Sequence, residues 1–584
     1  MNDARRATGP RSRRLTRTAS LLVALITTTG LATGTALAAP ADQAASNAAS
    51  TWVPNDPMKA VAQMQPSWNL GNTMDAIPDE TSWGNPLTTK ALFDYLKAQG
   101  FKSVRIPVSW YPHQSATAPY TIDATWMARV KQVVDYALAD GLYVDLNVHH
   151  DSWDWIENIS VPSDHDAVLA RFDATWTQIA AEFKDESRKL LFESVNEPQF
   201  AAGTSDAQKT ASMNELNTAF HAVVRGSGGN NGNRLLMLPT QGCTPSQPLM
   251  DDLNGEIASL HDKNIVATVH FYGYYPFSVN IAGGTTYDAT NQKMTADTFA
   301  LMHSEFVAKG IPVYLGEYGL LSEPNSGTVE QGELLKYYED VNYQARLNGV
   351  TSALWDDGNY LDRTAMQWRE PDIFSMIKSS WKARSGTASS DNVFVPKGGP
   401  FTAQTLTLNL NGTTFKGLWN GHQKLVEGRD YTVSGTQLTL TARALADLSG
   451  NQAYGVNSTI KAEFSTGVPW LIHVISSDKP VLSDATGTTA SLSIPTQYNG
   501  DQLETIKSQY ADGTAAGSAS WTAYQAFNGA FSPDYANNAL VFKPDFLNSL
   551  KDGAPVTLTV EFWSGATVTY TVTKSGTTVT GTAS

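Results

Sequence analysis

Between residues 52 and 385, eight short apolar or β-branched runs recur, each separated from the next by a longer stretch with helical spacing. They are the stretch into Trp68-Asn-Leu-Gly-Asn-Thr, Ser103-Val-Arg-Ile-Pro, Leu142-Tyr-Val-Asp-Leu-Asn-Val-His, Leu190-Leu-Phe-Glu-Ser-Val-Asn-Glu, Arg234-Leu-Leu-Met-Leu-Pro, Asn264-Ile-Val-Ala-Thr-Val-His, Pro312-Val-Tyr-Leu-Gly-Glu and Val350-Thr-Ser-Ala-Leu-Trp. A strand, a helical crossover and another strand make a parallel pair, and eight such units in about 330 residues predict a (β/α)8 barrel. The polar residues fall at one end of that pattern. Arg105, His149, Asn196, Glu197, His270, Glu317 and Asp356 all lie at or just beyond the C-terminal ends of the runs, the face on which barrel enzymes build their sites.

After Ser385 the chain turns to Ser, Thr, Gly and Val in short alternating runs, which predicts all-β modules. Residues 394–483 and 488–578 repeat one order: an Asp-Tyr pair, a short strand, a Leu-rich turn, a strand carrying Phe, a Ser/Thr-Gly turn and a Val-rich strand. The expectation is two immunoglobulin-like sandwiches. The linker around residues 384–392 is short, and a short tether favours a fixed arrangement in which the last module borders the catalytic face.

At the N-terminus a basic stretch, Arg11 to Arg17, precedes the apolar run Leu21 to Ile26 and small residues up to Ala38. That layout predicts a signal peptide over 1–38, a flexible leader over 39–51, secretion and an extracellular location. No later segment approaches the roughly 20 apolar residues needed to span a bilayer, so no membrane partner is expected. Removing residues 1–38, with six arginines and one aspartate, takes the formal charge from −15 to −20. Phosphate backbones repel such a chain, which excludes nucleic acid and favours a neutral polymer. Cys243 is the only cysteine, so an intramolecular disulfide is excluded and a small buried filler is expected.

Retaining hydrolysis of a glycosidic bond needs two carboxyl groups roughly 5 Å apart, and two strand ends of a barrel can supply them. Glu197 ends the fourth run and Glu317 the seventh. In order along the chain stand Trp68-Asn-Leu-Gly-Asn-Thr-Met-Asp75, Trp83-Gly-Asn-Pro86, Val104-Arg-Ile-Pro107, Asn147-Val-His-His-Asp151, Asn196-Glu-Pro198, His270-Phe-Tyr272, Gly316-Glu317 and Leu354-Trp-Asp356. This series resembles glycoside hydrolase family 5, and its first two motifs resemble subfamily 4, whose members hydrolyse β-1,4-glucan, mixed-linkage glucan and xyloglucan. The resemblance implies Glu197 as general acid/base and Glu317 as nucleophile. Arg105 and Tyr272 would favour the charged form of Glu317, and Asn196 would bind the sugar 2-hydroxyl. It further implies that His149 and His270 orient the acid pair, that His150 and Asn72 neighbour the substrate, and that Trp355 is a stacking floor.

His149-His150-Asp151 lacks the spacing of a His-Glu-x-x-His metal helix and a third clear ligand, so neither a metal nor a cofactor is expected. Trp83, Trp110, Trp153 and Trp155 are each read either as cleft linings or as packing. The segment 394–483 resembles the X2 family, and 488–578 resembles carbohydrate-binding module family 46 through Ile494-Pro-Thr, Tyr498-Asn-Gly-Asp501, Tyr510-Ala-Asp-Gly513, Trp521 and Phe562-Trp-Ser-Gly565. Trp521 is expected to be exposed and to grip polysaccharide, while Trp563 stands equally for an exposed ring or a core filler. The resulting expectation is a monomeric secreted endo-β-1,4-glucanase acting on plant cell-wall polysaccharide. A xyloglucanase, a mannanase on the same barrel and a non-catalytic polysaccharide-binding scaffold are the rivals.

Overall fold

The computed structural model describes residues 53–321 and 327–584. The expected signal peptide and leader lie outside the described residues. Strands β1 (Ser67–Asn69), β2 (Ser103–Ile106), β3 (Tyr143–Asn147), β4 (Leu190–Glu193), β5 (Leu236–Pro239), β6 (Ile265–Phe271), β7 (Val313–Tyr318) and β8 (Thr351–Leu354) form a closed barrel in chain order. Every neighbouring pair is parallel, including the closing pair β8 and β1. Each strand lies in one of the eight runs of the sequence.

A short helix, α1 (Pro57–Ala62), precedes β1, and eight longer helices follow the strands. They are α2 (Lys90–Gln99), α3 (Ala124–Ala139), α4 (His165–Phe183), α5 (Asp206–Gly226), α6 (Gln247–Leu260), α7 (Ala289–Glu305), α8 (Gln331–Asn348) and α9 (Pro371–Ser380). Their starts are written in the sequence. The Asp123 carboxylate accepts the first free amides of α3, and Ser205 with Gln208 forms a reciprocal cap on α5.

The barrel interior changes character along its axis. At the N-terminal end Tyr143, Leu191, Met237, Val266, Tyr314 and Ala353 pack with Ala60 and Val61 of α1. Side chains alternate along a strand, so two residues further on the inward positions are Arg105, Asp145 and Glu193, joined by Asn69, Asn147 and Thr268, all buried. The core thus turns polar toward the C-terminal face. Strand β7 breaks the alternation. Its register against β6 runs Val269↔Leu315 and then His270↔Glu317, so Gly316 is an extra residue. Without that bulge Glu317 would share the outward parity of Leu315; with it, the carboxylate points inward. Only glycine fits there, since a Cβ at Gly316 would lie 2.9 Å from His270 Nε2 and 3.0 Å from Thr268 Oγ1.

The two modules repeat one architecture, a four-stranded sheet facing a five-stranded one. In the first, Thr387–Ala388 and Asn392–Pro396 are already sheet strands, so the stretch expected as a tether is built into the sandwich. It is also fixed to the barrel. Arg384 pairs with Glu339 of α8, and the Gly332 amide donates to Asp391 Oδ2 at 2.8 Å. Apolar residues of barrel and first sandwich, Trp68 through Val474, form one continuous core, whereas the second sandwich has its own around Phe531, Phe542 and Tyr570.

The second sandwich docks on the segments that leave β6 and β7. Trp563 Nε1 donates to the Thr328 carbonyl at 2.6 Å, Thr285 Oγ1 donates to Glu504 Oε1 at 2.9 Å, and Tyr524 lies against Gly283. Trp563 is therefore neither a core filler nor an exposed grip, because its ring is spent on the barrel. Trp521 is 68% exposed.

Candidate active site

The geometry centres on Arg105, which is fully buried on β2. Its five N–H donors are all used: Nε and Nη2 on the two oxygens of Glu193, Nη1 on Asn69 Oδ1 and Glu317 Oε1, and Nη2 also on Asn196 Oδ1. Burial opposes a charge there, but the carboxylates of Glu193, Glu317 and Asp145 outweigh it and hold the guanidinium protonated. Asp145, 3.6 Å from Arg105 Nε, is pushed well above the carboxylate range by burial and by the charge on Glu193.

Glu317 Oε1 accepts from Arg105 at 2.7 Å and Oε2 from the Tyr272 hydroxyl at 2.6 Å. Burial and the two glutamates drive the Tyr272 phenol well above its ordinary range, so it keeps the proton it donates. Both expected partners of Glu317 are in contact with it.

Glu197 enters from the turn after β4. Its φ of 37° is a left-handed conformation that non-glycine residues rarely hold, and Ser152 Oγ and Trp153 Nε1 pin its carbonyl at 3.2 and 3.1 Å. His270 Nδ1 sits 3.0 Å from Glu197 Oε1 and 3.5 Å from Glu317 Oε2. One ligand atom from each of Glu197, His270 and Glu317 lies within 4.8 Å of the others. Burial works against a charge on His270, but Cys243, Glu317 and Glu197 raise it well above the ordinary histidine range.

The remaining expected residues line the approach. His149 is buried and held neutral chiefly by that burial; its ring stacks on Trp355 at 5° and 6.0 Å between centroids. His150 lies edge-on to His149 and 3.4 Å from Asp75 Oδ2, and touches Trp83 and Trp153. Asn72 is half-buried with φ 53°, its amide donating to Asp75 Oδ2. Gly71 lets Trp355 approach, since a Cβ there would meet the indole at 2.8 Å. Of the four ambiguous tryptophans, Trp83 and Trp153 border His150, while Trp110 and Trp155 are buried packing residues bonded to Asn147 and Asp151. Asp356 is a loop organiser, accepting from Trp68 Nε1 and the amides of Gly358, Tyr360 and Leu361. Trp521 belongs to the second sandwich and carries no contact to this ring.

Sequence reading missed Asn69, Asp145, Asn147 and Glu193, although counting by twos along each strand from the inward Ser67, Tyr143 and Leu191 would have found them. It also undervalued Cys243, whose thiol lies within the same 4.8 Å as ligand atoms of Glu193 and His270. Asp75, His149 and His150 form another group of metal-capable atoms. There Asp75 already accepts the Asn72 and Thr73 amides and His149 Nδ1 faces the Asn147 amide.

Residues 69–360 match the cellulase family, glycosyl hydrolase family 5; residues 387–474 match the carbohydrate binding domain X2 and 478–582 a further carbohydrate binding domain, family 46. Endoglucanase B of Paenibacillus lautus is 46% identical over 544 residues, covering 92% of this chain and 96% of that protein. A solved trimodular GH5_4-subfamily endoglucanase superposes with a TM-score of 0.88 at 41% identity, over 90% of this chain and 99% of its own. The full-length trimodular endo-β-1,4-glucanase B of Bacillus halodurans gives 0.88 at 40%, over 91% and 99%.

Proposed function

The chain belongs to glycosyl hydrolase family 5 as an endoglucanase with two carbohydrate-binding modules, and from that premise we propose that it is a secreted, retaining endo-β-1,4-glucanase. The observation that carries the mechanism is the approach of Glu197 and Glu317 oxygens to within 4.8 Å. Retaining enzymes hold their carboxyl groups roughly 5–5.5 Å apart, whereas inverting ones need roughly 6.5–9.5 Å for an intervening water.

The environments divide the labour. Glu317, gripped by Arg105 and Tyr272, attacks the anomeric carbon while Glu197 gives its proton to the departing glycosidic oxygen. Water then enters, Glu197 takes its proton, the hydroxide oxygen bonds to the anomeric carbon and the Glu317 ester breaks. His270 sits between the two carboxyl groups, where its ring N–H steadies whichever is charged. Asn196, its oxygen held by Arg105, turns its amide N–H2 toward the sugar 2-hydroxyl, and the Trp355 face supports the ring being cleaved. All of these groups come from one chain, which supports a working monomer. Trp521, three residues before the docked Tyr524, extends the surface offered to a long polymer.

The test is reducing-sugar release from carboxymethyl cellulose, xyloglucan and β-mannan by the parent and Glu317→Ala in parallel. Release from the cellulose derivative that disappears in the variant is the expected result. Release preferring xyloglucan or mannan would move the substrate, and activity surviving Glu317→Ala would overturn the mechanism. N-terminal sequencing of protein from culture medium is expected to start at Ala39; retention in the cells with residues 1–38 attached would refute secretion.

A further inference from the structure

Where the two sandwiches meet, an open groove of about 640 Å³ lies between Tyr454 of the first and the segments 497–502 and 535–538 of the second. None of its residues belongs to the catalytic site. We propose that this groove is a second polysaccharide-binding site, separate from the cleft, that takes a few units of a neutral β-linked glucan chain.

Two aromatic rings are presented and held. Tyr454 is 44% exposed and Tyr535 47% exposed, a large apolar area to leave in water. The Tyr454 hydroxyl donates to Asp478 Oδ2 at 2.8 Å while Lys397 Nζ lies 3.8 Å from its ring centroid. The Tyr535 hydroxyl accepts from the Leu503 amide at 3.0 Å, and its ring leans on Tyr498 at 4.5 Å. Rings fixed in this way lose little freedom on binding. Beside them stand the exposed amides of Gln497, Gln502 and Asn538, which have no side-chain partner among the described residues. An amide both donates and accepts, as a sugar hydroxyl does, and a pyranose offers C–H faces to aromatic rings.

The groove is built rather than incidental. Gly500 sits at its floor with φ +79°, and a Cβ there would collide with the Ser476 carbonyl and the Gly455 amide of the first sandwich. The Asp478 amide donates to the Asn499 carbonyl at 3.1 Å and Asn499 Nδ2 to the Lys479 carbonyl at 3.0 Å. Asp501 is buried and occupied by the Gln502 and Ser564 amides and the Ser564 hydroxyl. The two walls are therefore locked in register. Its volume falls in the range of small-ligand sites, roughly 300–1,000 Å³, which suits a few sugar units and not a protein surface. The lining carries no cationic side chain, and a chain with a formal charge of −15 repels acidic polymers, which leaves a neutral glucan.

The experiment is calorimetric titration of the full-length Glu317→Ala protein, which cannot turn over, with cellohexaose. Two ligands per chain are expected, one in the cleft and one in the groove. In a background that adds Tyr454→Ala and Tyr535→Ala, one class is expected to vanish and the other to remain; with Tyr454→Phe and Tyr535→Phe, which keep the faces, both are expected to remain. Gln497→Ala with Gln502→Ala removes only exposed amides and is expected to weaken the same class about tenfold, so the outcome does not hang on the folding of the tyrosine variant. A single site in the Glu317→Ala parent that the groove variants leave unchanged, two sites surviving the alanine pair, or loss of the class in the phenylalanine pair would each overturn the proposal.

Discussion

Replacing Arg105 by lysine keeps the charge and most of the length, so it isolates what the guanidinium fork contributes. Five hydrogen bonds leave Arg105, spread over Glu193, Asn69, Glu317 and Asn196. An ammonium has three donors on a single atom and cannot reach acceptors placed on opposite sides of a plane. At least two contacts are lost. Hydrogen bonds to charged groups contribute about 1.5–3 kcal/mol each, so the loss is about 3–6 kcal/mol. Its division between folding and catalysis follows from which partner is abandoned. A lysine that stays with Glu193 leaves Glu317 and Asn196 unsupported, and kcat on soluble β-glucan falls about 100- to 10,000-fold with the barrel still folded. One that follows Glu317 leaves Glu193 buried without its donors, and the thermal midpoint falls by on the order of 2 °C per kcal/mol instead. Steady-state kinetics and scanning calorimetry on one preparation separate the two. A kcat within threefold of the parent together with an unchanged midpoint would refute the argument that the fork organises this site.

Trp521→Ala removes an exposed ring and is expected to lower kcat/KM on polymer about three- to tenfold while leaving cellotriose hydrolysis alone; an equal loss on both substrates would place Trp521 elsewhere. Trp563→Phe keeps the ring but strands the Thr328 carbonyl, weakening docking of the second sandwich by about 1–3 kcal/mol. Small-angle scattering is expected to show a wider distribution of distances, and an unchanged curve would count against that bond. Glu256, which accepts from Asn217 at 3.0 Å and is otherwise enclosed, is raised by burial to about 8 from 4.5. Its contribution is fully present below pH 4.5 and is lost as pH rises through 8, on the order of 5 kcal/mol in total. Glu256→Gln is expected to raise the barrel's unfolding temperature at pH 9 relative to the parent and to do little at pH 5; equal shifts at both would refute the linkage.

How much of this was legible depended on whether a residue's role is local. All eight strands announced themselves because a buried parallel strand needs a continuous apolar run. Glu197 and Glu317 were legible because they stand in motifs at run ends. What supports them was not. Glu193 and Asp145 look like ordinary strand carboxylates until the barrel closes and turns their parity inward, and the inward turn of Glu317 itself depends on a bulge at Gly316 that no alternation pattern contains. Trp563 shows the same limit from the other side. Both sequence readings assumed an isolated sandwich, with an inside and an outside; docking created a third environment.

That third environment bears on the chemistry, because one segment serves both ends. Leaving β6, it first places Tyr272 on Glu317, then turns at Gly273, whose φ of 76° and contact with the Tyr337 ring admit no side chain. Seven to twelve residues after Gly273 it meets the second sandwich. The Asn280 carbonyl accepts from the Phe527 amide while its side chain holds Thr328, Gly283 lies under Tyr524, and Thr285 reaches Glu504. A loop anchored at one end by the hydrogen bond to Glu317 and at the other by the second sandwich has little room to move independently of either. The same segment thus carries both the Tyr272 hydroxyl that meets Glu317 and the contacts that seat the second sandwich, so barrel and sandwich are joined through one continuous stretch of chain.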